Sequence, residues 1–353
     1  MVQSILPEFP IGGNDLRLEP FGSGLINKTW RIRTGQKDYI LQRINDDVFR
    51  EPRLIAENVR RIADYLQKNH PGYLFIVPVR TTQNDDLVFR DGKGYFRLAP
   101  FVDGSHTQDM VTSPNEAFEA ANQFGKFTAL LSGFDATTLN ITIPDFHNLT
   151  LRYEQFLESL SSGNTSRISN AAAEAAFITS HRHIVETYDE IISDPAFRIR
   201  VTHHDTKINN VLLDGQNKGL CVIDLDTVMP GFYISDLGDM MRTYLSPATE
   251  EETDLDKVSV REEIFRAIVE GYLKEMKVVL TLKEKQAFVY AGKFMIYMQA
   301  IRFLTDYFNN DRYYGEKYPG HNLNRAKNQI DLLQKLISVE ERLSVILTQI
   351  INQ

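Results

Sequence analysis

Apolar residues in this chain change their spacing near residue 103. Over residues 16–101 they fall in short runs rich in β-branched and aromatic side chains, at 16–21, 29–33, 39–43, 74–79, 87–89 and 95–101. Gly, Asp and Asn punctuate these runs, as expected of strands joined by turns. One stretch differs: over 51–68, Ile55, Val59, Ile62 and Leu66 recur at helical spacing. Beyond about residue 115 the helical period dominates. Phe118, Ala121, Phe124, Thr128 and Leu131 form one stripe, and 151–160, 170–192, 261–277, 282–308 and 322–351 continue the pattern. The exception is 199–225, where two short apolar runs, 211–213 and 221–223, flank a polar turn and predict a β-hairpin among helices. The expected fold is α+β and bilobal. An antiparallel sheet plus one helix occupies 1–102, a mainly helical lobe with the hairpin occupies 103–353, and the join lies near Pro100–Ser105.

Composition narrows the class. The 353 residues are 42% hydrophobic and 24% charged, ordinary for a globular protein and more than one compact core usually covers. Lys+Arg 39 against Asp+Glu 47 gives a net charge of −8, which argues against a chain that coats nucleic acid or an anionic membrane. The single cysteine, Cys221, allows no internal disulfide and fits a reducing compartment; it sits in an apolar run and reads as core. The N-terminus lacks a basic start with an apolar run, and no stretch reaches membrane-helix length, so a cytoplasmic location is expected.

Chemistry concentrates around the hairpin. Val201-Thr-His-His-Asp-Thr-Lys-Ile-Asn-Asn210 precedes its first strand, and Val222-Ile-Asp-Leu-Asp226 ends its second. Hairpin geometry returns Asp224 to the neighbourhood of Asn210. An amide and a carboxylate oxygen suit Mg²⁺, which takes few protein ligands and shares phosphates. Asp205, five residues before Asn210, can orient a hydroxyl. The spacing is that of the kinase catalytic loop H-R-D-x-x-x-x-N followed by a metal-binding Asp. His204 replaces the Arg, and neither D-F-G nor A-P-E follows, so the chain is kinase-like without being a protein kinase.

These segments resemble the aminoglycoside phosphotransferase and choline kinase superfamily, and within it are most similar to N-acetylhexosamine 1-kinases. The matching stretches are Gly22-Ser-Gly-Leu-Ile-Asn-Lys-Thr29, Tyr39-Ile-Leu-Gln42, 201–212, 223–231, Asp236-Leu-Gly-Asp239, 302–307 and 317–323. The resemblance implies a bilobal protein-kinase-like fold that uses ATP and Mg²⁺ to phosphorylate the anomeric hydroxyl of GlcNAc or GalNAc, a sugar released, for example, from mucin glycans. Asp205 would be the base, and Lys207 would stabilise the transferred phosphoryl group. Asn210 and Asp224 would hold the metal. Asp226 would assist it or cap a loop. His203 and Asp236 would support the catalytic loop, Asp236 also being placed to cap a helix. Gly22, Gly24 and Asn27 would cover the phosphates, unless they form an ordinary hairpin turn. Gln42 stands at the usual strand lysine, and 97–102, including Arg97, Ala99 and Phe101, would be the hinge that bonds adenine through its backbone. Arg302 and Tyr313 would bind the sugar, with Asp306 and His321 as further candidates. The plain alternatives are a surface Arg302–Asp306 pair and a structural His321.

Two residues depart from the family: Gln42 leaves the partner of the α/β phosphates unassigned, and Leu25 stands where a sugar-contacting His is usual. Glu57 accordingly receives no ion-pair role. His181 and His183 diverge on a helix and are not expected to bind metal; Glu250, Glu251, Glu252, Asp254 and Asp256 read as a solvated loop. No C/S-x-P-x-R stretch exists, which excludes formylglycine-type sulfatase chemistry. Other acceptors (another sugar, an aminoglycoside, choline, homoserine) and a nucleotide-binding pseudokinase remain as alternative readings.

Overall fold

The computed structural model describes residues 2–12, 16–22 and 26–353. Its first layer is a five-stranded sheet of β1 (Arg17–Pro20), β2 (Lys28–Arg33), β3 (Tyr39–Arg43), β4 (Val88–Arg90) and β5 (Gly94–Pro100), in the order β1-β2-β3-β5-β4, antiparallel throughout. Successive side chains alternate between faces. One face buries Ile32, Leu41, Val88, Phe96 and Leu98 against Ile5, Leu6 and Phe9 of an N-terminal 3₁₀ turn. The other face carries Thr29, Gln42 and Arg97, register partners in a row across β2, β3 and β5.

The helix α1 (Pro52–Asn69) follows, with Pro at its first turn, where a missing N–H costs nothing. Its predicted stripe Ile55, Val59, Ile62 and Leu66 joins the large helical core rather than the small sheet core. Asn58 fastens it there: the side chain donates to the Asn140 and Val228 carbonyls and accepts from the Asn140 N–H. The strand expected at 74–79 does not form. Only Val79 bridges to Leu98, because Pro78 has no N–H to give a ladder.

The rest is helical: α2 (Pro114–Leu130), α3 (Leu149–Ser162), α4 (Thr165–Asn170), α5 (Ala172–Ser180), α6 (His183–Ser193), α7 (Ile234–Tyr244), α8 (Glu262–Met276), α9 (Leu282–Gln286), α10 (Phe288–Phe308), α11 (His321–Ser338) and α12 (Glu340–Ile351). The expected helices at 170–192, 282–308 and 322–351 are each broken into shorter ones; no Pro or Gly marks the breaks. The apolar helix α10 is buried on nearly every side, as such a helix must be. No helix is long and apolar enough to cross a membrane. Helices α2 and α8 cross where each has a glycine: a Cβ at Gly125 would lie 2.9 Å from the Tyr272 carbonyl, and one at Gly271 2.4 Å from that of Phe118.

The hairpin is β7 (Val211–Leu213) with β8 (Gly219–Val222), closed by Asp214 accepting from the Gln216 and Lys218 N–H groups. Strands β6 (Ile199–Thr202) and β9 (Met229–Phe232) pair around it. Between β6 and β7 runs the 203–210 loop, which is braced from α7. The Asp236 carboxylate accepts from the backbone N–H of His203 at 3.0 Å and of His204 at 2.7 Å. Asp239 accepts from the Thr206 N–H at 2.9 Å. His204 takes the left-handed conformation, φ +67°. Its Nδ1 lies 2.8 Å from Ser235 Oγ, which also meets His147. Burial holds His204 down to about 3, and burial followed by the His204 charge pushes His147 well below the usual imidazole value, so both rings are neutral.

Two outcomes follow. Gly271→Ala overpacks a backbone contact, which costs about 1–3 kcal/mol; its thermal midpoint should fall by about 1–4 °C in a chain of this length, and an unchanged midpoint would show that α2 and α8 can separate freely. For His204 the folded value is depressed, so its contribution to stability is complete above the unfolded value near 6.5 and is lost as pH falls toward about 3. Denaturant titrations should therefore give parent protein a steeper loss of stability with acid than His204→Asn, by up to about 1.4 kcal/mol per pH unit. Asn tolerates left-handed backbone; equal slopes would refute the neutral-histidine account.

Candidate active site

The loop and the hairpin bring three polar groups together. Ile223 N–H donates to the Asn210 carbonyl at 2.9 Å, so the end of the second strand lies against the end of the loop. Asn210 Nδ2 donates to the Asp205 carbonyl at 2.9 Å and to Asp205 Oδ2 at 3.1 Å. Asp205 Oδ1 lies 3.2 Å from Lys207 Nζ. That carboxylate raises the Lys207 value, which keeps a positive charge beside it. His203 is buried; its Nε2 lies 2.9 Å from the Ile223 carbonyl, and the Asp205 N–H approaches its Nδ1 at 3.4 Å. These contacts select the tautomer with the proton on Nε2.

Asp224 is left-handed, φ +58°, which turns its carboxylate into the space between sheet and hairpin. Its depth there, then the Asp226 and Asp205 charges, hold it above the usual carboxylate range. Burial raises Asp236 to about 7 against the opposing pull of its two N–H bonds. A site that disfavours carboxylate charge in this way suits a cation. Among the described residues no three His, Cys, Asp or Glu side chains form a metal cage. Asp224 and the Asn210 amide oxygen, the atom left once Nδ2 is committed to Asp205, are hard oxygen donors that could hold a Mg²⁺ completed by water and phosphates.

A cavity of about 280 Å³ joins these groups to the sheet. Gly22, Gln42, Arg97, Ala99 and Phe101 line it together with Asn210 and Asp224, as do the apolar Ile40, Ile76, Leu212 and Ile223. Gly24 and Leu25 lie outside the described residues. Arg97 differs from its expected hinge role: it sits in mid-strand, 8% exposed, and its side chain enters the cavity. The Phe101 N–H is also engaged, by the Asp38 carbonyl at 3.0 Å, so it is not a free hinge donor. Asp226 is 1% exposed, and its oxygens take Asn27 Nδ2 at 2.8 Å and Arg97 Nη1. It tethers the sheet to the hairpin rather than opening toward a metal. Glu57 pairs with Arg61 and Asn140 on the surface, with no link to β3.

Arg302 and Tyr313 meet elsewhere, in a cavity of about 430 Å³ between α3, α10 and the following turn. Arg302 Nη2 donates to Tyr313 Oη at 3.4 Å, and the guanidinium faces the rings of Phe146, Tyr313 and Tyr314. Tyr313 is 71% exposed. The surface Arg302–Asp306 pair weighed as the plain alternative does not form. Asp306 touches this cavity, but its oxygens accept from the Tyr313 and Tyr314 N–H groups and from Asn322 Nδ2, so it shapes the turn. His321 is buried with Nε2 2.6 Å from Glu251, which makes it structural as well. The acidic loop is not wholly solvated. Glu250 binds Arg242 and Arg325, whose charges outweigh the effect of burial and bring it to about 2, and Glu251 binds His321 and Lys317. Arg152 on α3 lines the Arg302 cavity and was missed; an isolated Arg at 152 carries no motif that would single it out.

Solved structures share this architecture. A microcompartment-associated aminopropanol kinase aligns over 98% of this chain and 98% of its own at 16% identity, with a TM-score of 0.65. Spectinomycin phosphotransferase, solved with ADP and spectinomycin, aligns over 96% and 97% at 12% identity and 0.59. Choline kinase from Cryptosporidium parvum aligns over 100% and 99% at 13% identity and 0.53. At such identities the likeness speaks for the fold. Residues 17–267, well over half the chain, match the phosphotransferase enzyme family in sequence as well. With the braced loop, the hairpin and the sheet arranged as described, this chain belongs to that family, within the aminoglycoside phosphotransferase and choline kinase superfamily.

Proposed function

We propose that this phosphotransferase moves the γ-phosphoryl group of ATP to the anomeric hydroxyl of an N-acetylhexosamine, GlcNAc or GalNAc. The acceptor oxygen bonds to the γ-phosphorus, the bond to the β–γ bridging oxygen breaks, the hydroxyl proton passes to Asp205, and ADP leaves. Asn210 and Asp224 would hold Mg²⁺, which would supply positive charge to neutralise the phosphates. Asn210 also orients Asp205, and Lys207 supplies positive charge beside it. ADP in spectinomycin phosphotransferase, and AMP-PNP with Ca²⁺ in amicoumacin kinase, support a nucleotide with a divalent metal in the cavity under the sheet.

One observation carries the choice of acceptor. The second cavity is lined by Arg152 and Arg302 together with the carboxylates of Glu158 and Asp306, and among the described residues no carboxylate lies within ion-pair distance of either guanidinium. Two unneutralised guanidinium groups disfavour cationic acceptors such as aminoglycosides or choline. Of the two acids in the lining, Asp306 is engaged by the Tyr313 and Tyr314 N–H groups and by Asn322, which leaves Glu158 against two guanidinium groups, while Glu250 and Glu251 close by are taken by Arg242, Arg325 and His321. Guanidinium forks and the Tyr313 hydroxyl suit the neutral oxygens of a sugar and its acetamido carbonyl.

Mg²⁺-dependent ADP release should appear with GlcNAc or GalNAc and yield an acid-labile phosphate; turnover of kanamycin or choline instead would remove the sugar reading. Asp205→Asn should cut kcat by about 10²–10⁴-fold with nucleotide binding intact, and undiminished turnover would reject Asp205 as the base. Arg302→Ala should raise KM for the sugar by at least about tenfold, near 1.4 kcal/mol, with KM for ATP unmoved.

A further inference from the structure

The phosphate cavity contains Asp224, yet strand β3 presents the neutral Gln42 where kinases place a lysine. Among the described residues lining that cavity, Arg97 is the one lysine or arginine. We propose that Arg97, one strand over, is the cation that receives the nucleotide phosphates, with Gln42 as its positioning residue and Asp226 as its partner before the nucleotide arrives. The inference rests on the phosphotransferase reading and names the group that performs a task which the sequence leaves without an owner.

Gln42 and Arg97 are register partners on β3 and β5, so both project from the same face of the sheet. Gln42 Nε2 donates to Thr29 Oγ1 at 3.3 Å, and its Oε1 accepts from Arg97 Nε at 2.9 Å. The amide thus aims the guanidinium without neutralising it. A lysine at 42 would instead set two cations against each other across the ladder, where like charges repel. Arg97 Nη1 is held by Asp226, and Nη2 has no protein acceptor among the described residues, leaving donors for phosphate oxygens. The other Asp226 oxygen holds Asn27, whose Oδ1 accepts from the Asn45 N–H at 2.9 Å. One carboxylate therefore registers the strand cation to Asn27, just before β2.

The test separates a phosphate contact from a lobe tether. Removing Arg97 alone leaves Asp226 buried without its partner, so R97Q/D226N is compared with D226N. Each protein is titrated with Mg²⁺–ADP and with adenosine, which keeps the base and sugar but has no phosphates. Loss of Arg97 should weaken ADP at least tenfold, leave adenosine within twofold, and raise KM for ATP without changing KM for the sugar. The transplant Q42K/R97Q/D226N, which moves the charge back to β3 in the same background, should recover most of the ADP affinity that R97Q/D226N loses. Equal weakening of ADP and adenosine would make Arg97 a structural tether and overturn the proposal, as would unchanged ADP affinity. If the parent itself fails to bind Mg²⁺–ADP, the phosphotransferase reading fails, whatever the variants do.

Discussion

A buried carboxylate accepting two backbone N–H groups holds the catalytic loop in place. Asp236 grips the amides of His203 and His204, and this grip lets His204 keep a left-handed backbone that costs about 1–2 kcal/mol for a residue with a Cβ. The reversal at His204 sends the chain from β6 into the loop that presents Asp205. Ser235, Thr206 and Asp239 extend the same attachment to α7. A hydrogen bond contributes roughly 0.5–1.5 kcal/mol, so the pair of bonds offsets the backbone strain. Were α7 to shift, Asp205, Asn210 and the hairpin would shift with it.

Charge is distributed unevenly over this framework. The chain carries a net −8, but its acids are largely committed. Asp226 is taken by Arg97 and Asn27, Glu250 by Arg242 and Arg325, Asp306 by backbone amides, and Glu284 by Arg200. Asp224 is the acid left facing the cavity under the sheet, while Arg152 and Arg302 face the second cavity together with Glu158 and Asp306. The formal total therefore says little about either pocket. An acidic protein thus offers one cavity whose exposed charge is a carboxylate and another in which two guanidinium groups stand unpaired.

The legible parts of the site were those carried by spacing along the chain. The interval from Asp205 to Asn210, and the return of the hairpin to Asp224, survive as a 3.1 Å side-chain contact and a 2.9 Å backbone bond. The roles given to Asp306 and His321 did not survive, because helical spacing reports which face a residue occupies and not what meets it there. The turn over 309–315 folds back onto Asp306, and the 250–252 segment comes to His321 from 70 residues away. Arg97 was misassigned for a related reason: a hinge is a backbone notion, and nothing local tells which way a strand side chain projects once the next strand is unknown.

By itself the sequence determined most of the strands, the α1 stripe, the position of the loop and hairpin and the burial of Cys221, since each depends on residues near one another in the chain. Tertiary structure decided the pairing of Arg97 with Asp226 across 129 positions, the row of Thr29, Gln42 and Arg97, and the neutralisation of the acidic loop. Helix breaks at Ala287 and Val339 belong to the same group, having no Gly or Pro to announce them. The dividing line is physical. Periodicity and turn chemistry are set by backbone geometry over a few residues, whereas the fate of a charge depends on which distant group arrives to share its desolvation.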